Sequence, residues 1–302
     1  MALKSGDLFP KETVREIFNK VKGHSTLAKL ANQEAIPFAG TEQFIFNLEG
    51  NAQIVGEGEQ KEAGQATMES RVIKPVKIVY QARITDEFKN VAQEKQLQYL
   101  KAFADGYASK IAQAFDIAAL HGLEPRSMTD ASFKATNSFD GLVTDNTIEF
   151  SAEGIEDDID TAVQTIVNTD GDVTGLALSP QAAAALGKVK VNGVVQYPEF
   201  RFGQRPNSFQ GMTTDVNKTL TMVGEGEEKD HAVVGDFANS FKWGYAENIP
   251  MEIIEYGDPD GIGRDLKAYN EILLRAEAYI GWGILVPENF ARVVETEAVV
   301  EG

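Results

Sequence analysis

Residues 50–88 read GNAQIVGEGEQKEAGQATMESRVIKPVKIVYQARITDEF, and this stretch decides the fold. Its middle, residues 56–70, holds three Gly, four Glu and one sizeable apolar side chain, Met68. A segment so polar cannot enter a core. The flanking runs Ala52–Val55 and Val72–Ile84 read as extended. In the second, Val72, Lys74, Val76, Ile78, Tyr80, Ala82 and Ile84 fall on one face, with Ile73, Lys77, Val79 and Arg83 on the other. The pattern predicts a long hairpin whose tip cannot bury itself. Such a tip must lie against something, and a neighbouring copy of the same chain is the reading the pattern favours.

The rest of the chain bounds what that assembly does. Its 302 residues, 43% hydrophobic and 25% charged, are globular in composition and suffice for two domains. No residue is Cys, which excludes disulfides and thiolate chemistry. A net charge of −18 repels nucleic acid from most of the surface, so any relation to DNA is containment or a local patch. No apolar run reaches membrane-spanning length, and residues 1–25 carry no signal-peptide pattern.

Upstream of the hairpin, Pro10 opens a helix with Val14, Ile17, Phe18 and Val21 on one face, and Gly23 is placed to end it. Ser25–Ala31 and Phe44–Leu48 then read as a loosely organised arm that docks onto a neighbour. Downstream, Thr85 caps a helical turn from Asp86. A long helix follows to about His121, striped by Leu97, Leu100, Ala104, Tyr107, Ile111, Phe115 and Ala118, and stops at Gly122. Ser151 is expected to cap a helix with the face Ile155, Ile159, Ala162, Val163, Ile166 and Val167. Strands at Leu176–Leu178, Leu220–Val223 and Ala232–Val234, with an Ala-rich helix Ala182–Leu186, suggest a small α/β domain. Ile249–Tyr256 and the long alternating run from Glu271 to Ile280 are natural strand partners for Val72–Ile84, returning the chain to its first domain.

Enzymatic chemistry finds little footing. Gly56-Glu57-Gly58 and Gly224-Glu225-Gly226 lack the third glycine and the helix of a dinucleotide site, and each carries acid where phosphate would sit. His24, His121 and His231 are far apart in sequence and form no metal motif. Asp258–Asp265 looks like a calcium loop but lacks the spaced third acid and the closing Glu, so Asp-Pro-Asp-Gly is read as a turn. No nucleophile elbow is present, and no local arrangement nominates a Ser, His and Asp to act together. Asp157-Asp158 and Asp86-Glu87 read as helix-surface charges. Lys61 could form an isopeptide bond if held dry against an Asn, but no Asn is singled out, and a solvated Lys is the simpler reading. Neither a catalytic residue nor a cofactor is expected.

The pieces resemble, in order, the major capsid proteins of tailed bacteriophages, the Hong Kong ninety-seven fold. LFPKETVREIF resembles the start of the N-terminal arm, and IVGEGEQKEAGQATMESRVIKPVKIVYQARITDEF the extended loop and first long strand. LQYLKAFADGYASKIAQAFDIAALHG is similar to the spine helix, and GLALSPQAAAALGKVKVNGVVQYP to the axial-domain strand, helix and loop. AVVGDFANSFKWGY and the segment from Ile249 to Val293 resemble the closing pieces.

The resemblance implies an α+β fold. Its parts would be an N-terminal arm (1–48), an extended loop (49–75), a peripheral domain with the spine helix (76–138), an α/β axial domain (139–245) and return strands to the C-terminus (246–302). It implies hexamers and pentamers of this chain in an icosahedral head shell around double-stranded DNA, in the virion, after assembly in the host cytoplasm. Scaffolding, portal and decoration proteins are the implied partners. The short stretch before the hairpin and the initiating Met1 favour a separate scaffolding protein. With the extended loop laid over the adjacent subunit, its charged residues Glu57, Glu59, Lys61, Glu62, Glu69 and Arg71 become the expected intersubunit contacts. An encapsulin-like compartment enclosing cargo enzymes shares the fold and is the alternative. A soluble α/β enzyme, which would need a deep pocket and a small fixed oligomer, is the rival from another class.

Overall fold

The computed structural model describes residues 24–49, 52–57, 60–61, 63–87, 93–246 and 251–295. The helix expected after Pro10 lies outside them. The described chain opens on a short helix, α1 (Thr26–Leu30), whose cap Ser25 accepts a hydrogen bond from the Ala28 N–H. Leu27 and Leu30 are buried against the protein's own body. Residues 25–31 are therefore not a loose arm reserved for a neighbour: apolar side chains three apart and a polar cap seat them at home.

The hairpin exists, but its first strand lies upstream of the expected one. β1 (Thr41–Glu49) pairs antiparallel with β2 (Gln65–Ile73), from Thr41 opposite Ile73 to Glu49 opposite Gln65. Ala52–Val55 belongs to no strand, and residues 65–70, read as tip, are in the ladder. A two-stranded ribbon with solvent on both faces needs no apolar alternation, so its strands tolerate Thr67 and Glu69. The run Val72–Ile84 is also two strands. Pro75 has no N–H to give a ladder, and pairing resumes in β3 (Val76–Thr85).

The helix α2 (Gln93–His121) follows, 29 residues and about 44 Å long. Gly122 ends it at φ 63°, its N–H donating to the Ala118 carbonyl. Two small pieces come next: the antiparallel pair β4 (Leu123–Glu124) and β5 (Thr129–Asp130), and the single turns α3 (Lys134–Asn137) and α4 (Phe139–Leu142). The remaining helices are α5 (Ile155–Val167) and α6 (Pro180–Leu186). Ser151 caps the turn before α5 rather than the helix itself, its Oγ accepting from the Gly154 N–H while its own N–H donates to Asp158.

A six-stranded sheet carries α5 and α6. Its strands are β6 (Thr147–Glu149), β7 (Gly175–Leu178), β10 (Ser208–Phe209), β11 (Met212–Val216), β12 (Lys229–Gly235) and β16 (Phe290–Glu295), in the order β10-β11-β7-β12-β16-β6. The small hairpin β8 (Lys190–Val191) and β9 (Val194–Val195) stands beside it. Both faces of the sheet are buried. Leu176, Leu178, Ala232 and Val234 meet Ile155, Ile159 and Ile166 of α5, while Ala177 and Val233 point into the core around α2. Leu220–Val223 is not a strand. Asn217 accepts from the Thr219 N–H and starts a 3₁₀ turn over Lys218–Thr221, and the strand beside β7 is β11 instead.

The second sheet is built on β15 (Glu271–Ile284), which pairs with β13 (Phe241–Tyr245) and β14 (Met251–Ile254) along one edge and with β3 along the other. Thr85 stands opposite Glu271 and Val76 opposite Ile280, the return pairing the alternation called for. Sheet membership crosses residue 245: β13 ends there and belongs to this sheet, while β16 follows it and joins the other. Beneath the sheet Phe115 of α2 packs against Trp243 and Trp282, with ring centroids at 5.4 and 5.7 Å, and all three are fully buried.

Candidate assembly surface

Strand register decides what the hairpin offers. Phe44 stands opposite Ser70, Phe46 opposite Met68 and Glu42 opposite Val72, and directly opposed residues share a face. Phe44, Phe46, Met68 and Val72 therefore line one side of the ribbon, exposed by 55, 65, 61 and 54%. Ile54, near the tip, is 99% exposed. The ribbon is a sheet of its own, about 30 Å long at nine residues per strand. So much contiguous apolar surface is uncommon on a soluble monomer and marks a place of contact.

The root of the ribbon is fixed. Ile73 is buried over Gly281 and Gly283 of β15, where a Cβ would come within 3.2 and 2.8 Å of its side chain. Gly40 turns the chain into β1 at φ 83°, and a Cβ there would stand 2.7 Å from the Ile73 carbonyl oxygen. Of the charged residues singled out in this loop, Glu57, Lys61 and Glu69 are exposed and Arg71 is half-buried. Glu59 and Glu62 lie outside the described residues. Glu69 and Arg71 share the face opposite the phenylalanines, across from Ile45 and Gln43. Sequence reasoning named the charges and missed the apolar face. The signal was present in Phe44 and Phe46, spaced two apart as residues on one face of a strand are.

A second fixture braces β3. Arg83 reaches the loop between β14 and β15 and binds Asp258 at 2.9 Å, Asp260, and Glu271 at 3.2 Å, while its Nη1 donates to the Arg264 carbonyl. Asp258 accepts from the Ile262 and Gly263 N–H groups. The loop that looks like a calcium site thus folds around a guanidinium. The hydrogen bond from Arg83 holds the Asp260 carboxyl down at about 2, and Arg83 is raised in return.

A model of the phage capsid family matches residues 5–294. The chain belongs to the phage capsid family. Its fold superposes on a structure from Mycobacterium phage Ogopogo at 30% identity and TM-score 0.75, covering 90% of this chain and 92% of that one. A structure from Gordonia phage Cozz is similar in fold at 21% identity and TM-score 0.71, with 92% and 86% covered. So is one described as the capsid of an empty GTA particle, at 11% and 0.61, with 90% of each chain covered. Among curated proteins none matches. The chain is a capsid shell protein of the virion, structural rather than enzymatic, and it assembles with itself.

Its buried polar groups read accordingly. Ser179 Oγ lies 2.9 Å from His231 Nδ1, and His231 Nε2 lies 2.9 Å from Glu295. The order is that of a hydrolytic triad and was invisible in sequence. Ser179, however, is fully buried and caps α6 by accepting from the Ala182 N–H, while His231 stacks on Phe150 at 3.7 Å. No substrate carbonyl reaches that hydroxyl, and the three residues join the start of α6 to β12 and β16.

His121, Asp140 and Asp230 place their ligand-type atoms within 4.8 Å of one another, but a cation from the chain fills the position. Arg292 lies 2.7 Å from Asp140 and 2.9 Å from Asp230. His121 Nδ1 faces Asp140 at 3.1 Å and Nε2 faces the Thr219 carbonyl at 3.0 Å. Both partners accept, an arrangement that favours the doubly protonated ring. Burial works against that charge, yet the Asp140 hydrogen bond and charge outweigh it and raise the pKa.

Asp116, fully buried on α2, accepts from Ser25 Oγ at 2.5 Å, from the Thr26 N–H at 2.9 Å and from Thr219 Oγ1 at 3.1 Å. Burial pushes its carboxyl up to about 7 despite those donors.

Proposed function

We propose that this chain forms hexamers and pentamers that tile an icosahedral head shell enclosing phage double-stranded DNA, each hairpin lying over the adjacent subunit. The observation that carries the reading is the exposed face of Phe44, Phe46, Met68 and Val72 on a ribbon with no other strand paired to it among the described residues. In a lone subunit that face costs solvation and its strand edges invite pairing. Against a neighbour it is covered, and the contact repeats around a closed lattice. The charges Glu57, Glu59, Lys61, Glu62, Glu69 and Arg71 then set the register of the contact rather than its strength, since exposed ion pairs contribute little. Scaffolding, portal and decoration proteins complete the particle, and assembly takes place in the host cytoplasm. The acidic balance of −18 suits a wall that contains DNA without gripping it.

Electron microscopy of the purified chain tests this. Shells, tubes or rings of five and six subunits are expected. Discrete monomers at high concentration would overturn the reading.

A further inference from the structure

Charge is divided across the α5/α6 face of the six-stranded sheet. Residues 149–172 contain eight Asp and Glu and no Lys or Arg. Residues 188–205 contain four Lys and Arg (Lys188, Lys190, Arg201 and Arg205) against one acid, Glu199. The fold sets α5 and the 200–205 loop on different sides of α6, and the two segments touch where the Tyr197 hydroxyl donates to Glu156. Helix α5 covers β12, β16 and β6, at one end of the sheet, and turns Glu156, Asp157 and Asp160 outward. Helix α6 lies beside it over β7 and β12, and its far flank, toward β11, borders a groove of about 410 Å³.

The groove is built for contact. Its walls are Pro180, Ala183 and Ala184 of α6, Val216 of β11, and the loop from Phe200 to Arg205. Phe200 is buried and anchors the loop, whose close approach to α6 requires Gly187: a Cβ there would meet the Phe200 carbonyl oxygen at 2.9 Å. Phe202, two residues on, stands 91% exposed at φ 57°, a left-handed backbone that an aromatic residue seldom adopts. The Arg201 guanidinium sits 4.9 Å over its ring. Lys188, Arg201 and Arg205 form no ion pair among the described residues. In a chain of net charge −18, three free cations around an apolar groove have no match on their own flank. Their match is the outer face of α5, whose Glu156, Asp157 and Asp160 meet no Lys or Arg among the described residues either: Glu156 accepts from Tyr197 and Asp160 from Gln164.

We infer that the groove between α6 and the 200–205 loop of one subunit receives the acidic face of α5 from a second copy of this chain. Lys188, Arg201 and Arg205 face Glu156, Asp157 and Asp160, and Phe202 closes over the contact. The two surfaces are different patches of one domain, so the contact is head-to-tail, the kind that makes a ring when the rotation between copies closes. The charge pairing fixes direction, because groove against groove and helix against helix bring like charges together. The inference rests on the shell reading and assigns one of its contacts.

The test is a charge exchange read by native mass spectrometry and electron microscopy. In one variant Arg201→Glu and Arg205→Glu are combined; in another Asp157→Arg and Asp160→Arg; a third carries all four. All sites are exposed, so circular dichroism and thermal midpoints should match wild type. The first two variants are expected to remain single subunits under conditions where wild type assembles. The four-site variant, and an equimolar mixture of the first two, should recover rings. Assembly of either two-site variant at wild-type level overturns the inference while the shell reading stands, and leaves the groove to some other acidic partner. Loss in both variants without recovery in the exchange overturns the pairing. A wild-type chain that forms no assemblies sinks the shell reading and this contact with it.

Discussion

β2 and β3 are consecutive strands separated only by Lys74 and Pro75, and they meet opposite circumstances. β3 is paired along all ten residues with β15, clamped through Arg83 and packed against α2. Among the described residues β2 pairs only with β1, and the face they share turns Phe44, Phe46, Met68 and Val72 to solvent. The same short alphabet of apolar residues thus serves two ends. In β3 and β15 it is consumed in folding the subunit, and in β1 and β2 it stands exposed, available for the contact proposed above. The residue that divides the two uses is a proline, which interrupts pairing without interrupting the chain.

Mutations can break or sharpen this contrast. The largest loss of subunit stability is expected on the consumed side. Trp282→Ala removes a fully buried ring that packs edge-on against Phe115 and Phe133, and should cost about 3–5 kcal/mol in denaturant unfolding. A loss below about 1 kcal/mol would mean that the core around α2 is not what holds the two sheets together.

Asp116→Ala comes next. It strands the Thr26 N–H and the Ser25 and Thr219 hydroxyls in a dry site, for about 2–3 kcal/mol. A neutral result would show that α1 is held by its leucines alone.

The third is a pH dependence. Asp116 moves from its ordinary 3.8 to about 7 on folding, and His121 is raised from 6.5. The folded chain binds both protons more tightly than the unfolded one. Their contribution is therefore fully present below the unfolded values and is lost as pH rises. Unfolding midpoints should decline from about pH 4 to 7 through Asp116 and through Asp230, whose carboxyl burial pushes up to about 6, and further above that through His121. Asp116→Ala should lessen the lower decline without abolishing it, and His121→Gln should flatten the upper part. Midpoints that climb with pH in both intervals would contradict the buried arrangement.

Smallest in subunit stability, and largest in consequence, is Phe46→Ser. Its side chain is 65% exposed, so the thermal midpoint should shift by no more than about 0.5 kcal/mol equivalent while assembly into rings or shells falls. An unfolded variant would show instead that the ribbon is part of the subunit's own core.

Legibility in the sequence follows the same divide. β15 shows strand alternation because one of its faces is buried, β3 because Val76, Ile78 and Ile84 pack partly buried against the core, and the stripe through Tyr107, Ile111 and Phe115 marks α2 because it crosses that core. The hairpin's strands were misplaced because open faces impose no alternation on Thr67, Glu69 or Gln43. Gly-rich 56–64 marks the turn plainly, whereas nothing polar alternates with Phe44, Ile45 and Phe46 to mark the strand before it. β16 shows no strand pattern, since its short run from Phe290 to Val294 is interrupted by Arg292, whose charge is buried against Asp140 and Asp230. The contacts of Ser179 with His231, His231 with Glu295, His121 with Asp230, and Arg292 with Asp140 and Asp230 join residues 52 to 152 positions apart in the chain, and no local spacing encodes them.

The seating of α1 has a mechanical consequence. Ser25 and Thr26 are bonded to Asp116, about a turn and a half from the inner end of the longest helix. A tug on the chain ahead of His24 therefore does not peel away a loose end. It is delivered to the rod that spans the subunit, so tension between neighbours, if transmitted through that segment, is borne by the stiffest part of the body.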